Sequence, residues 1–427
     1  MREPLLRASV GGFLLSSSST ALQFLISMLL ARGLGASRYG AYAYAVSWTV
    51  VLGVLGDFGL GRLLVRNIAS YHARGEWALL RGQLIWAIVI ALVASTCTGL
   101  AALVALHLLG GSIPGGMRAP LLAALLMIPL NGLLRGSQAA LRGLHQILPG
   151  QFAELLVQPS CLLLLVGVVI LGSPRALDPT SAVGLHVASI AIALIAGAWL
   201  LDRHLPGRAV QARSRWLHDE WLRAARYMML IGGLHIVNAR TDVIMLGSLA
   251  GATETGIYSI CARGADLAML LVLPTHAALM PLVARLHAGG LVAELQRLAV
   301  EGARLVFAVS FPICVALVAF GDRFLLLYGD QYAAGSRALA ILCVGKALTL
   351  VMGPAALLLA MTGLERSAAI AVGSSAVANI VLNGLLIPVW GMEGAATATA
   401  LSAVSAAGIM TIWVRRRLGI RPDVFGR

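Results

Sequence analysis

Apolar residues in this chain fall into long blocks separated by short breaks rich in Arg, Gly and Pro. About 20 apolar residues in a helix cross the hydrocarbon core of a bilayer. Runs of that kind lie at about 8–31, 40–61, 82–109, 119–135, 152–172, 180–201, 227–250, 256–282, 304–321, 337–361, 368–389 and 393–414. The fourth is short and contains Pro129. The longest gaps are about twenty residues, too short for a soluble domain. The pattern predicts an all-α polytopic membrane protein with about twelve transmembrane helices.

Composition agrees with the pattern. Hydrophobic residues make up 59% of the 427 and charged residues 12%, against about 25% charged in a soluble protein. The net charge of +14 could point to nucleic acid, but the arginines cluster in alternate breaks between apolar runs. Arg2 and Arg7, Arg62 to Arg81, Arg135 and Arg142, Arg203 to Arg226, Arg285 to Arg304, Arg366, and Arg415 to Arg427 all fall on one side. The positive-inside rule makes that side cytoplasmic. It predicts a multi-pass protein of the inner membrane with both termini cytoplasmic and no nucleic-acid partner. The five cysteines lie in apolar runs without metal or disulfide spacing, and the first run reads as a retained helix, not a signal peptide. The stretches 62–81 and 283–303 mix charge with Leu, Val and Trp at helical spacing. They fit amphipathic helices on the inner membrane surface, the first favoured by anionic lipid, or ordinary connections.

An internal repeat divides the chain. Gly35-Ala36-Ser37-Arg38-Tyr39-Gly40-Ala41-Tyr42 follows the first run, and Gly251-Ala252-Thr253-Glu254-Thr255-Gly256-Ile257-Tyr258 follows the seventh. The shared G-A-[ST]-x-x-G-x-Y recurs at an offset of 216 residues, which also places Arg81 on Arg297. Six spans per half is an even number, so the halves are parallel repeats, an architecture of alternating-access transporters. The expected organisation is an N-terminal six-helix bundle over 1–205, a basic cytoplasmic linker over 206–226 and a C-terminal bundle over 227–427.

Candidate chemistry concentrates in the second half. Arg240, Asp242, Arg263 and Asp266 lie within apolar runs, as does Lys346, the only lysine. A charge at bilayer depth costs on the order of 2.5–3.5 kcal/mol on insertion scales and marks function by default. At 1.5 Å per residue these five lie roughly 10–15 Å below the outer helix ends, in one layer. Arg240, Arg263 and Lys346 are the candidate substrate-binding cations, since guanidinium and ammonium groups suit phosphate oxygens. Helix-to-helix pairing, Arg263 with Asp266 at i+3 among them, is the structural alternative. His235, Asn238 and Asp242 fall at i, i+3 and i+7, on one helix face. Asp242 there is a candidate for Na⁺ or H⁺ coupling, with a polar seam between helices as the alternative. Asp57 beside Arg62 reads as a charge pair at a cytoplasmic gate. His276, between Pro274 and Pro281, reads as packing at a kink, and His107 and His186 as helix-end residues. No catalytic set or phosphate-binding loop is visible, so the expected protein is not an enzyme and needs no cofactor beyond a coupling ion.

Several of these stretches also resemble a known family. Ala31-Arg32-Gly33-Leu34-Gly35 through Tyr42 is similar to the first outer loop of the polysaccharide flippases, and Asp57-Phe58-Gly59-Leu60 followed by Arg66 resembles their next segment. Asp242, Gly251 to Tyr258 and Arg263 resemble the matching stretch of the second half. Thr362-Gly363-Leu364-Glu365-Arg366, Asn379, Asn383, Ile387-Pro388 and Gly391 to Ala396 resemble the end of the chain. The family is the Wzx-like oligosaccharide flippases of the multidrug/oligosaccharidyl-lipid/polysaccharide (MOP) superfamily. The resemblance implies a MATE-like fold and the flipping of a polyprenyl-pyrophosphate-linked oligosaccharide across the cytoplasmic membrane. It also implies partners in membrane lipid and in glycan polymerase or glycosyltransferase proteins. A cation-coupled multidrug exporter and a lipid-linked peptidoglycan precursor flippase of the same superfamily are the alternatives.

Overall fold

The structure is a computed structural model describing residues 2–108, 115–172 and 177–426; the side chains of residues 2–10, 13, 115, 230, 231 and 235 lie outside what it describes. The described residues form helices and turns, with no strand among them. They contain eight helices long and apolar enough to span a membrane, plus two broken pairs that each make one more. Two of the eight are double. The apolar part of the first helix, Leu14–Asp57, has 44 residues, a length of about 66 Å against a bilayer core of about 30 Å. Glu365–Leu418 has 54 residues. Each is interrupted by a glycine outside helical geometry, Gly35 (φ 74°, ψ 168°) and Gly391 (φ 54°, ψ −130°). Eight, two and two give the twelve spans expected.

The chain divides into two compact units, Met1–Ile236 and Val237–Arg427. The division lies inside the run expected to open the second bundle at 227, because that run's first half packs with the N-terminal unit.

In the N-terminal unit, α1 (Arg2–Asp57) gives way at Phe58 and Gly59, both at positive φ, to α2 (Leu60–Arg74). The next elements are α3 (Trp77–Leu108), α4 (Gly115–Ala124) and α5 (Met127–Gly143), the last two forming one interrupted span. Then come α6 (Pro149–Phe152), a π-helical turn over Ala153–Val157, and α7 (Gln158–Gly172), again one span. The unit closes with α8 (Pro179–His204), α9 (Gly207–Gln211) and most of α10 (His218–Asn238). The amphipathic helix expected over 62–81 is α2, which starts at Leu60. It ends at Arg74, and its apolar face (Leu60, Leu63, Leu64, Ile68) is buried with Trp86, Ala139, Ala140 and Trp221. The basic linker is likewise packed: Arg215 N donates to Ala78 O (2.9 Å), and the Arg81 guanidinium bonds the carbonyls of Val210 and Ala212.

Helix α8 starts on a full capping box. Ser181 N donates to Asp178 Oδ1 (2.8 Å), Asp178 N donates to Ser181 Oγ (2.9 Å), and Pro179 occupies the first turn. Hydrogen bonding from Ser181 holds the Asp178 carboxyl below the usual carboxylate range. A depressed folded-state pKa contributes stability above the ordinary carboxylate range, and that contribution is lost as pH falls through the folded value. Asp178→Ala should cost about 0.5–2 kcal/mol, nearer the lower figure because the residue is exposed. It should also flatten the acid side of a melting-temperature series against pH.

The C-terminal unit contains α11 (Thr241–Leu249), α12 (Ala252–Asp266), α13 (Val272–Ala288), α14 (Val292–Ala319), α15 (Gly321–Leu326), α16 (Ser336–Val351), α17 (Ala355–Met361) and α18 (Glu365–Leu418). The stretch 283–303 is not one helix: it holds the end of α13 and the start of α14, joined by a turn around Gly290 (φ 67°). Helices α12 and α13 bend by 40° where they break, just ahead of Pro274 and His276.

The two units repeat each other in backbone detail. Gly251 (φ 90°, ψ −177°) adopts nearly the conformation of Gly35, a region open essentially only to glycine. The repeat tyrosines Tyr42 and Tyr258 are both buried, and each hydroxyl enters a polar network. After its last span each unit also folds a strap back on its third span. In the C-terminal unit Arg304 donates to Val424 O (3.0 Å) and Gly426 O (3.1 Å), and Gln296 exchanges hydrogen bonds with Arg421.

Candidate functional site

Asp242, in the first turn of α11, is a buried acid within the membrane-spanning part of the C-terminal unit. The helix has just restarted there after a break at Ala239 and Arg240, so backbone donors are available. Val243 N donates to Asp242 Oδ1 (2.8 Å), and Tyr258 OH donates to Asp242 Oδ2 (2.6 Å). Thr399 Oγ1 lies 3.5 Å from the same carboxylate oxygen and 3.4 Å from Tyr258 OH. The network continues along α18. Asn379 Nδ2 donates to Ser402 Oγ (3.1 Å), and Asn383 Nδ2 donates to Asn379 Oδ1 (3.1 Å). Asn383 Oδ1 is buried with no hydrogen-bond partner. The result is a buried set of oxygen groups around one carboxylate, drawn from α11, α12 and both halves of α18.

The helical register expected to join Asn238 and Asp242 is interrupted, because α10 ends at Asn238 and α11 starts at Thr241. Asn238 Oδ1 is buried without a partner, and the His235 side chain lies outside the described residues. Tyr258, Thr399, Asn379 and Asn383 take the place of those two. Tyr258 was visible as the repeat tyrosine; Thr399 carried no signal, since a threonine in an apolar span is common.

The structure places the expected cations as follows. Arg240 occupies the N-cap position of α11 and is exposed, and Arg263 is exposed in the last turn of α12. Lys346, in the middle of α16, is held in an ion pair: its Nζ lies 2.5 Å from Asp266 Oδ1. Asp266, the i+3 neighbour of Arg263 in the pairing alternative, bonds the lysine, and two thirds of its side chain is open to the surroundings.

A second charged constellation lies wholly in the N-terminal unit. A cavity of about 660 Å³ is lined by Asp57, Arg62, Arg66, Arg135, Arg142 and Glu154. Its other wall is apolar, with Val54, Val65, Met228, Met229 and Ile236. The break between α1 and α2 puts Asp57 and Arg62 here, and the packing of α2 on α5 brings Arg135 and Arg142 to them. Glu154 is presented by the π-helical turn, a distortion common at functional sites. With its amide oriented to satisfy both groups, Gln138 donates to Glu154 Oε2 (2.7 Å) and accepts from Glu154 N (3.0 Å). Arg135 Nε is 3.9 Å from Glu154 Oε1. Asp57 and Arg62, read as a gate pair, therefore belong to a larger cluster. The sequence hid it because Arg135 and Arg142 read as topology signals and Glu154 as an isolated acid.

His186 is near the N-terminal end of α8, as expected. It lies in the second turn of α8, with Tyr42 OH 2.9 Å from its Nδ1 and Gln158 Nε2 3.2 Å from its Nε2.

Residues 8–287, more than half of the chain, match the family model described as polysaccharide biosynthesis protein. The chain belongs to that family, within the MOP superfamily. Residues 238–385 also match the MatE model. Among curated relatives the chain is 24% identical over 403 residues to the probable low-salt glycan biosynthesis flippase Agl15 of Haloferax volcanii, covering 93% of this chain and 81% of the relative. It is 29% identical over 182 residues to the probable flippase AglR of the same organism, covering 42% of this chain and 38% of that relative. Among solved structures it is similar to a multidrug resistance MATE family transporter of the MOP superfamily, with TM-score 0.81, 15% identity and 94% of each chain covered. It is also similar to the lipid II flippase MurJ, with TM-score 0.71, 13% identity, and 96% and 87% covered. These likenesses establish the fold: the chain is a polytopic all-α membrane protein of MATE-like architecture.

Proposed function

We propose that this family member is a flippase that carries a polyprenyl-diphosphate-linked oligosaccharide from the inner to the outer leaflet of the cytoplasmic membrane by alternating access, with both termini cytoplasmic. The observation that carries the reading is the likeness to a named glycan flippase along 93% of the chain. The described residues support it, being membrane-length helices joined by short connections. The glycan-synthesis proteins that deliver and polymerise the substrate are its expected partners.

Two assignments follow within this reading. Arg240 and Arg263 contact the anionic headgroup, joined by Lys346 when its pair with Asp266 opens. Their exposed place on membrane helices supports this, since ionisable groups at that depth mark function by default. The Asp242 cluster takes the coupling ion, Na⁺ or H⁺. Its oxygen-only donors and the unpartnered Asn383 Oδ1 suit a hard cation. A second reading, a cation-coupled multidrug exporter, draws on the MatE match over 238–385.

The test is complementation of a flippase-deficient strain. Wild type should restore surface glycan. A variant with Arg240, Arg263 and Lys346 all changed to Ala, at equal expression, should give at least about tenfold less, as expected for losing charge-assisted hydrogen bonds to phosphate. Normal glycan from the triple variant removes the cation assignment. Drug resistance without glycan from wild type favours the exporter.

A further inference from the structure

We infer that Glu254, in the first turn of α12, is a positioning residue for the Asp242 cluster: it fixes the second half of α18, and with it Thr399, against α12. This rests on the reading of that cluster as the coupling-ion site. Met392 N donates to Glu254 Oε2 (2.7 Å), a bond between residues 138 apart in the chain. It forms at Gly391, where α18 breaks into its two halves. The half-buried carboxylate lies directly on that glycine: a Cβ built there would be 2.9 Å from Glu254 Cδ and 3.0 Å from Oε1.

A helix that restarts leaves backbone donors without intrahelical acceptors, and a carboxylate is favourable among them. The two units meet this need differently. Helix α8, the sixth span of the N-terminal unit, caps itself with Asp178. The sixth span of the C-terminal unit has no Ser, Thr, Asp or Asn over 384–392, and its acceptor comes from another helix. In the repeat motif Glu254 stands where the N-terminal unit has Arg38, an exposed cation whose side chain has no acceptor. The same turn therefore forms in one unit without an acid at this position. The acid occurs in the unit that holds Asp242.

The two helices that Glu254 joins meet again at the cluster. Tyr258 is one turn beyond Glu254 on α12, and Thr399 is two turns beyond Met392 on α18. Tyr258 OH and Thr399 Oγ1 are 3.4 Å apart, and Thr399 Oγ1 is 3.5 Å from Asp242 Oδ2. Those separations are at the long end of hydrogen-bond range, so a small slide of the second half of α18 makes or breaks them. The halves of α18 already touch at the break, where a Cβ on Gly394 would be 2.6 Å from the Leu386 carbonyl carbon. The Glu254 bond adds the contact to α12. Releasing Met392 frees the second half of α18 to shift along α12, which draws Thr399 away from Asp242 and loosens the hold on the ion.

The test is flipping in reconstituted vesicles, with the half-saturating concentration of the driving ion read from a Na⁺ series at fixed pH and an H⁺ series without Na⁺. Glu254→Ala should raise that concentration about tenfold, as for the loss of a hydrogen bond to a charged group. Its maximal rate at saturating ion should stay within about twofold of wild type, whereas a merely structural role lowers the maximal rate and leaves the ion dependence alone. Glu254→Gln keeps an amide oxygen for Met392 N and should stay within about threefold of wild type. Arg38→Ala, at the matching position of the other unit, is the control and should leave the ion dependence unchanged. A folded Glu254→Ala with the wild-type half-saturating concentration overturns the proposal, as does Glu254→Gln impaired as strongly as Glu254→Ala. If Glu254→Ala does not fold, Glu254→Asp replaces it: its carboxylate is one methylene short of Met392 N, and an unchanged ion dependence overturns the proposal equally. Amide exchange over 392–399, faster by about tenfold in Glu254→Ala, separates this failure from that of the ion reading. Faster exchange, together with wild-type ion dependence in Asp242→Asn or no ion-driven flipping by wild type, sinks the ion reading and supports Glu254 as the residue that positions Thr399. Unchanged exchange sinks the positioning role whatever Asp242 binds.

Discussion

Gly59→Ala should lower the melting temperature of the purified protein by roughly 5–10 °C, the shift expected for a loss of a few kcal/mol in a unit of this size. Gly59 has φ +72°, and a Cβ built there lies 2.5 Å from Ala225 O and 2.6 Å from Met229 N. The left-handed conformation alone costs an alanine roughly 1–2 kcal/mol. The close contacts are to backbone atoms of α10, so no rotamer change relieves them, and α10 must move away from the α1–α2 break. That movement would open the basic cavity, which α10 helps to wall through Met228 and Met229. Gly53→Ala is the control: it lies near the end of α1, just ahead of the break, and nothing lies within 4 Å of its added Cβ. Thermal melting followed by tryptophan fluorescence separates the two. Equal melting temperatures would mean that α10 does not pack on Gly59 as described.

Asp242→Asn should reduce transport by at least about thirtyfold while leaving the fold nearly intact. Truncating one partner of a buried, hydrogen-bonded charged group typically costs about 2–5 kcal/mol. Asparagine keeps the shape but has one acceptor oxygen where the carboxylate uses two: its Oδ1 can still accept from Val243 N, and its amide nitrogen can donate to Tyr258 OH in place of the bond that Asp242 Oδ2 accepts, so local hydrogen bonding survives while the negative charge is lost. A structural role predicts small losses in both stability and transport. A coupling role predicts a small loss of stability and a large loss of gradient-driven transport. Asp242→Ala should fail on both counts, because the Tyr258 hydroxyl is then left buried without its 2.6 Å acceptor. Near-wild-type transport by Asp242→Asn would exclude the carboxylate as the coupling group.

The spans were legible because burial in lipid writes itself into sequence as long apolar runs, and the repeat was legible because its turns need particular glycines. Gly35 and Gly251 adopt nearly the same positive-φ backbone, so the shared motif reports a real structural constraint. The breaks were harder to read. The restart at Leu270 and Leu271 lies where side chains look as apolar as in any continuous span, the one at Arg240 coincides with charges that read as a site and not as a break, and a third falls at Met352 to Pro354. Only the last carries a Gly-Pro signal. These breaks decide the chemistry, since one of them supplies the backbone donor that holds Asp242.

The sites were legible in part. Charge at membrane depth singled out Asp242, but its partners on α18 are more than a hundred residues away and neutral. The pair of Lys346 with Asp266 joins residues 80 apart, and one sequence offers no pairing information at that distance. The basic cavity was concealed for a different reason. Arginines near span ends serve orientation as well as binding, and composition cannot separate the two uses. Only the packing of α2 on α5 shows that four of them share one space.

The most direct measurement is flipping itself. The purified chain is reconstituted into vesicles containing a fluorescent polyprenyl-diphospho-oligosaccharide, and the fraction accessible to an external quencher is followed after an ion gradient is imposed. The account predicts gradient-dependent movement between leaflets well above that of protein-free vesicles, lost in Asp242→Asn and absent for a probe lacking the diphosphate. Movement no faster than in protein-free vesicles, or equally fast for the probe without diphosphate, would contradict it.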